Sequence, residues 1–338
     1  MKRFLILGVL LILFWVAFIG GILWFRRESK PVSQEVTKVR FIIPKGYTAG
    51  QIGMALERQG LIRSSLAFKV YVQIKNASKS LKPGEYNLSR NLDLRQIVAK
   101  LLVGPDEFWV TIPEGLRREE VVEKFIQGLE LTGEMSDTFR RGFLVASEGK
   151  EGYLFPDTYL FARDITPENV VAKMILTFDQ KIDEDMKQAV YNSRYSLDEI
   201  IIMASLIERE AKTDEERPVI SGILWKRLRT NGWFLQVDSA VQYAIGGRNC
   251  ADSNEKKCNW WPNLTREDLQ INSPYNTYRY KSLLPPTPIA NPGLSSIKAA
   301  IFPEESDYWF YIHDRFGRIH YAKTISEHNL NIDNYLSN

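Results

Sequence analysis

The chain opens with an unbroken apolar run and then switches between strand-like and helix-like spacing. Phe4 to Phe25 is 22 residues without a charge. Wound as a helix it is roughly 33 Å long, enough to cross a hydrocarbon core. Its far end, Gly20-Gly21 followed by Ile22-Leu23-Trp24-Phe25, lacks the small-residue site of a cleaved signal peptide. The expectation is a retained transmembrane anchor over 4–25, a tail of residues 1–3 before it, and a polar linker over 26–37.

From Val39 the pattern reads as strand, Pro/Gly turn and helix, stopping at Gly60. A second helix is expected over Leu66–Ile74, a turn and short strand over KPGEYNLS, and a third helix from Leu94 to Leu102 ending at Gly104. This makes a small α+β module over 38–105. Its opening recurs: Ile-Pro-x-Gly at Ile43–Gly46 returns at Ile112–Gly115, with Pro44 and Pro113 69 residues apart. Two copies are too few for a solenoid and read as a duplicated or structurally rhyming strand-to-helix turn.

Residues 106–338 give a mixed α+β pattern, with EGYLFPDTYLF (Glu151 to Phe161) joining the two halves. The most informative stretch is SLDEIIIMASLIEREAK, from Ser196 to Lys212. Ser196 with Glu199 three residues on forms a capping box. Ile200 to Ile207 is apolar apart from Ser205, and a helix apolar all round is a buried one. Glu208 ends that run in line with Ile201, Ala204, Ser205 and Ala211, small neighbours that leave room for a ligand. A partly buried glutamate gains the raised pKa of a general acid. The plain alternative is that Glu208 and Glu210 mark where the helix meets water. A second helix is expected near Pro218 to Thr230. Gln236 and Asp238 alternate with Leu235 and Val237 as on a half-buried strand. Beyond Tyr243 the chain reads as loop-rich, with Asn276 between Tyr275 and Tyr278 in a Pro-rich stretch where it suits either an N-acetyl sugar or a turn. The end, DYWFYIHD then RIHYAK, reads as a hairpin.

Composition narrows the partners. A net charge of +3, two units of it from Lys2 and Arg3, gives no reason to expect nucleic acid. Cys250 and Cys258 are the two cysteines, far from the three histidines, so no metal site or cofactor is expected. They read as a local disulfide, which favours an exported location for the bulk of the chain. Lys and Arg flank the apolar run on both sides, so charge does not orient it.

Ordered motifs then accumulate: IIPKG…IGMALERQGLI, LKPGEYNL, VTIPEG, EGYLFPDTY, MASLIEREA, LQVDSAVQYAIG, SPYNTY, LPPTPIANPGLSSIKAA and HYAKTISEHN. Over nearly its whole length the chain resembles the YceG-like family of endolytic murein transglycosylases. The resemblance implies a single-pass inner-membrane protein with a LysM-like module and an extracytoplasmic catalytic domain. It implies cleavage of nascent peptidoglycan strands between N-acetylmuramic acid and N-acetylglucosamine, leaving 1,6-anhydro-muramyl ends and limiting strand length, with peptidoglycan synthases as partners. It places the catalytic glutamate on Glu208 and substrate-binding residues on Gln236, Asp238, Tyr275, Asn276 and Tyr278. Where the family often has Pro-Thr, this chain has Ser239-Ala240, and the segment carrying the cysteines is not a family feature. The competing expectation is a catalytically silent glycan-binding scaffold of the same fold.

Overall fold

The computed structural model describes residues 2–251 and 258–336; the side chains of the first ten residues and of Ala251 fall outside that description. The chain divides into two compact units, one of Met1–Trp109 with Leu160–Asp164, the other of Val110–Tyr159 with Ile165–Asn338. The architecture is mixed α+β.

In the first unit, helix α1 (Lys2–Glu28) leads into a strand-helix-helix-strand arrangement. Strand β1 (Lys38–Ile43), helices α2 (Ala49–Arg58) and α3 (Ser65–Ile74) and strand β2 (Gly84–Ser89) follow in order, then α4 (Leu94–Val103) and β3 (Glu107–Thr111). β1 and β2 pair antiparallel, Phe41 opposite Tyr86. Phe41 and Ile43 alternate inward on β1 and meet Leu56, Phe68, Leu88 and Ile97 in one core, the period-2 signature of a sheet with one buried face. Thr48 and Asp93 each form a capping box, with Gln51 and Gln96. Residues 26–37 do not form a free linker. Arg63 grips the Pro31 carbonyl at 2.8 Å, and the Ser29 carbonyl accepts from the Leu94 N–H.

Within α1, Leu11 to Trp24 carry a run of exposed large apolar side chains. Among the described residues no helix is long and apolar enough to cross a membrane, and the first part of the expected anchor, Phe4 to Leu10, has side chains outside the described set.

The second unit is mostly helical: α5 (Arg118–Leu129), α6 (Gly133–Ala146), strand β4 (Thr158–Ala162, shared with the first unit), α7 (Pro167–Lys181), α8 (Glu184–Asn192), α9 (Leu197–Glu210), α10 (Glu216–Arg229), α11 (Asp238–Ala251), α12 (Leu294–Ile301), the hairpin β5–β6 (Phe310–His313, Ile319–Ala322) and α13 (Ile325–Tyr335). α9 is its axis. Every side chain from Ile200 to Ile207 is buried, packed by α10, α11 and α12. The terminal hairpin pairs Phe310 with Ala322 and His313 with Ile319.

Two expectations fail here. The Leu235–Asp238 strand is replaced by one turn and the start of α11: Gln236 sits at φ +55°, which breaks extension, and Asp238 opens a helix, where an acidic side chain complements the dipole. The loop expected beyond Tyr243 is helix as far as Ala251. At Gly246, inside that helix, the Trp260 backbone lies so close that any side chain there would collide with it. The glycine serves that close approach.

Candidate active site

Glu208 and Glu210 stand two residues apart at the end of α9, about 200° apart around the axis, and enter different surroundings. Ser196 fixes where the helix starts. Its Oγ accepts from the Glu199 N–H at 3.3 Å while Glu199 Oε2 accepts from the Ser196 N–H at 2.8 Å.

On one side, Glu208 Oε2 accepts from the Gly293 N–H at 3.0 Å and the Ser296 hydroxyl at 2.8 Å. Arg217 Nη2 approaches Oε1 at 3.4 Å, and the Glu208 side chain is 7% exposed. Gly293 is the N-cap of α12, so the carboxyl sits at a helix N-terminus, where backbone N–H groups and the dipole favour negative charge. Arg217 is held in turn by Ser296 Oγ at 2.8 Å and by Asp214. A second carboxyl is here too: Glu114 packs so tightly on Gly293 that a side chain at 293 would overlap it. Burial, then the charge of Glu208, raise the Glu114 pKa, with Arg217 opposing.

On the other side, Glu210 accepts from the Ser239 hydroxyl at 3.0 Å and the Tyr311 hydroxyl at 2.9 Å. Burial pushes its pKa up, the two hydroxyls pulling it back. Glu210 lines a cavity of about 570 Å³ together with Gln236, Asp238, Tyr278, Arg227 and His313. Tyr278 donates to Asp238 Oδ1 at 2.5 Å. Gln236 holds its left-handed backbone because Thr277 clamps the turn: the Thr277 carbonyl accepts from Gln236 N–H, and its Oγ1 from Val237 N–H at 2.9 Å. A non-glycine residue in that region is a local strain reservoir, the kind that gathers at binding sites.

The sequence-predicted residues are therefore only partly brought together. Gln236, Asp238 and Tyr278 converge, but around Glu210 rather than around Glu208. Tyr275 lies elsewhere, in a cavity of about 390 Å³ with Glu151, Tyr153, Asp198 and Tyr243, its hydroxyl 2.7 Å from Thr287 Oγ1. Glu151 there is buried, which pushes its pKa up to about 8, and it accepts from Asn291 Nδ2 at 2.8 Å. Asn276 is fully buried. Its amide donates to the Leu269 and Ile271 carbonyls and its oxygen accepts from the Tyr278 N–H, so the side chain is committed to its own turn, the second of its two expected uses. The small-residue face of α9 does not leave room for a ligand. Ile201, Ala204 and Ser205 are buried, and the Ile289 N–H donates to Ser205 Oγ at 3.0 Å; small side chains there admit neighbouring backbone.

Sequence reasoning missed Glu114, Arg217, Gly293, Ser296 and Tyr311. Glu114 was marked by the repeated Ile-Pro-x-Gly turn, and Gly293 and Ser296 by the NPGLSS string, but no spacing rule joins segments so far apart in sequence. Cys250, in the last turn of α11, is disulfide-bonded to Cys258. Shortly after it, the Trp261 ring lies under the Arg209 guanidinium, 3.8 Å from centroid to Cζ. Among the described residues no three His, Cys, Asp or Glu side chains gather around a point that could hold a metal ion.

Carboxyls at the end of a buried helix, one beside a second carboxyl and one lining a polar cavity, are the equipment of acid–base chemistry. The chain belongs to the YceG-like family, whose model matches residues 41–334. It is 31% identical to a Bacillus subtilis protein named endolytic murein transglycosylase, over 94% of this chain and 91% of that one. A Streptococcus pneumoniae protein of the same name is 26% identical over 87% of this chain, which spans 58% of its length. Among solved structures, a YceG-like protein from Listeria monocytogenes superposes with a TM-score of 0.59 at 28% identity, covering 87% of this chain and 98% of that one.

Proposed function

We propose that this protein is an endolytic murein transglycosylase, cutting nascent peptidoglycan strands between N-acetylmuramic acid and N-acetylglucosamine with Glu208 as the acid–base carboxyl. The observation that carries the reading is its near end-to-end similarity to a Bacillus subtilis protein of that name. Glu208 protonates the departing glycosidic oxygen. The resulting carboxylate then takes the proton from the muramyl C6 hydroxyl as O6 bonds to the anomeric carbon. The C1–O4 bond breaks, a C1–O6 bond forms, and no water is consumed, so the product carries a 1,6-anhydro end. The Gly293 N–H, Ser296 and Arg217 fix the carboxyl for both steps. Gln236, Asp238 and Tyr278, lining the cavity beside Glu210, bind neighbouring sugars.

A second reading puts the acid at Glu210, because that residue has the raised pKa and shares the cavity with those three side chains. Digestion of unlabelled peptidoglycan by the full chain in detergent separates the readings. Anhydro-ended fragments, lost in E208Q and kept in E210Q, support the first. Loss in E210Q alone supports the second, reducing ends would indicate a hydrolase, and intact strands would indicate a silent scaffold.

The reading extends to location. Residues 4–25 anchor the chain in the inner membrane with the bulk outside the cytoplasm, next to peptidoglycan synthases. The exposed apolar run of α1 supports this, as does the disulfide. The strand-helix-helix-strand unit over 38–105 acts as a LysM-like glycan-facing module. An alkaline-phosphatase fusion at the C-terminus is expected to be active; activity of a cytoplasmic reporter alone would sink the topology and with it the substrate.

A further inference from the structure

One proton has to stay available to a carboxyl that already accepts from three donors. Glu208 receives the Gly293 N–H, the Ser296 hydroxyl and, at longer range, Arg217, a set that holds its oxygens in place and leaves about one of a carboxyl's four lone-pair sites for the proton it delivers. A second carboxyl, that of Glu114, lies against the same glycine. Glu114 belongs to the second Ile-Pro-x-Gly turn, and that turn is stitched to the segment before α12 by two backbone hydrogen bonds. Gly115 N–H donates to the Asn291 carbonyl, and Asn291 N–H to the Leu116 carbonyl, both at 2.9 Å. Gly115 takes φ +75°, and a side chain there would begin 3.5 Å from Glu208 Cγ. The Glu114 carboxyl fills the space over Gly293 that any side chain would need, while the N–H of the same glycine holds Glu208. Gly293 is thus the spacer between two carboxyls.

We propose that Glu114 is a positioning residue for the catalytic proton, forming with Glu208 a carboxyl pair that holds one proton between them across Gly293. The proposal rests on Glu208 being the catalytic carboxyl. Two carboxyls in one site ionise in two steps that belong to the pair. The pair gives its proton to O4 of the leaving sugar, is doubly ionised while the muramyl centre carries positive character, and recovers a proton from O6. Every proton is returned and no co-reactant enters. The groups facing Glu114 are consistent with this: Glu208 and Asp214 favour its neutral form and Arg217 opposes. Arg209 of α9 lies against Gly115.

The test is the pH profile of kcat/KM for the full chain in detergent on peptidoglycan strands, comparing parent, E114Q, E114D and G293A. Glu114→Gln cannot ionise, so the alkaline limb is expected to move to lower pH by about one unit or more. The rate near pH 7 falls about tenfold, KM stays within about twofold, and Glu114→Asp partly restores the limb. Gly293→Ala displaces the carboxyl without removing it and is expected to move the limb the same way. An E114Q limb superimposed on the parent's, or a change confined to KM, overturns the proposal. Should E114Q fail to fold, E114D and G293A decide by the same limb. Full activity in E208Q would instead remove the underlying assignment of Glu208, a distinguishable failure.

Discussion

The two sides of the end of α9 carry the same residue type and put it to opposite uses. Glu208 meets a helix N-terminus, a hydroxyl and a guanidinium, with a second carboxyl across a glycine. Glu210 meets two hydroxyls, with Asp238 nearby, and borders the larger cavity. N–H and guanidinium donors hold a carboxylate in one orientation for repeated proton transfer. Burial at Glu210 favours a neutral group, its two hydroxyl partners opposing that shift. What the difference teaches is that partners, supplied by α10, α12 and the terminal hairpin, assign the role, and the Glu-Arg-Glu string alone does not.

The strongest way to break the comparison is to neutralise each side in turn. Glu208→Gln is expected to lower kcat by about 10³-fold, about 4 kcal/mol of transition-state stabilisation, with an unchanged thermal melt. Glu210→Gln is expected to cost about tenfold or less, and to show itself in stability. The Glu210 pKa is raised above 4.5 in the fold, so folding favours its neutral form. That contribution is whole below pH 4.5 and is lost as the pH rises through the raised value. E210Q, never charged, should melt no higher than the parent near pH 4 and above it near pH 8. Melting curves at the two pH values check the sign; reversed kinetics would move the acid to the other side.

Much of this was legible in the sequence, and the illegible part has a physical reason. The two Ile-Pro-x-Gly turns behave alike locally. Gly46 takes φ +88° and Gly115 φ +75°, each between a strand and a helix, because a left-handed turn after Pro needs a residue without Cβ. Caps, the glycine stops and the closing hairpin are short-range features and were read correctly. What differs between the turns is long-range: Glu114, though exposed like Lys45, meets Gly293, 179 positions on. Periodicity carries no information about such meetings. The same limit explains α11, where alternation suggested a strand. Thr277, forty positions beyond Val237, clamps the turn at Gln236 that leads into a helix instead. Asn276, by contrast, spends its amide within its own turn, a short-range use the sequence already offered beside the sugar contact.

A milder cut sharpens the comparison by removing one hydroxyl from each side. Ser296→Ala deletes a donor to Glu208 and the acceptor for Arg217 Nε, so two tethers of the carboxyl loosen together. The expected loss is about tenfold in kcat with little change in KM, since a hydrogen bond to a charged group is worth about 1.5–3 kcal/mol. Tyr311→Phe deletes a donor to Glu210 and is expected to cost about 1–2 kcal/mol of unfolding free energy while leaving kcat within about twofold. Equal kinetic effects of the two would mean that both sides serve the reaction.

On the Glu208 side the smallest expected kinetic effect comes from the disulfide. Closing a loop of sequence separation 8 restricts the unfolded chain by about 2–3 kcal/mol, so the Cys250→Ser, Cys258→Ser double variant should unfold at lower denaturant without losing its cooperative transition. The consequence for activity should be one-sided. Cys258 leads within three residues to Trp261, whose ring supports the Arg209 guanidinium, and Arg209 Nη1 reaches the Gly115 carbonyl at 3.4 Å, behind the turn that carries Glu114. Loosening that segment reaches the Glu208 side through Arg209, whereas Glu210 is held by Ser239 and Tyr311, neither of which the disulfide touches. A two- to fivefold fall in kcat, of the size a fraction of one kcal/mol to about 1 kcal/mol produces, should therefore appear in the double variant and vanish when Trp261→Ala is already present. A loss that adds fully to that of Trp261→Ala would show the disulfide acting by another route.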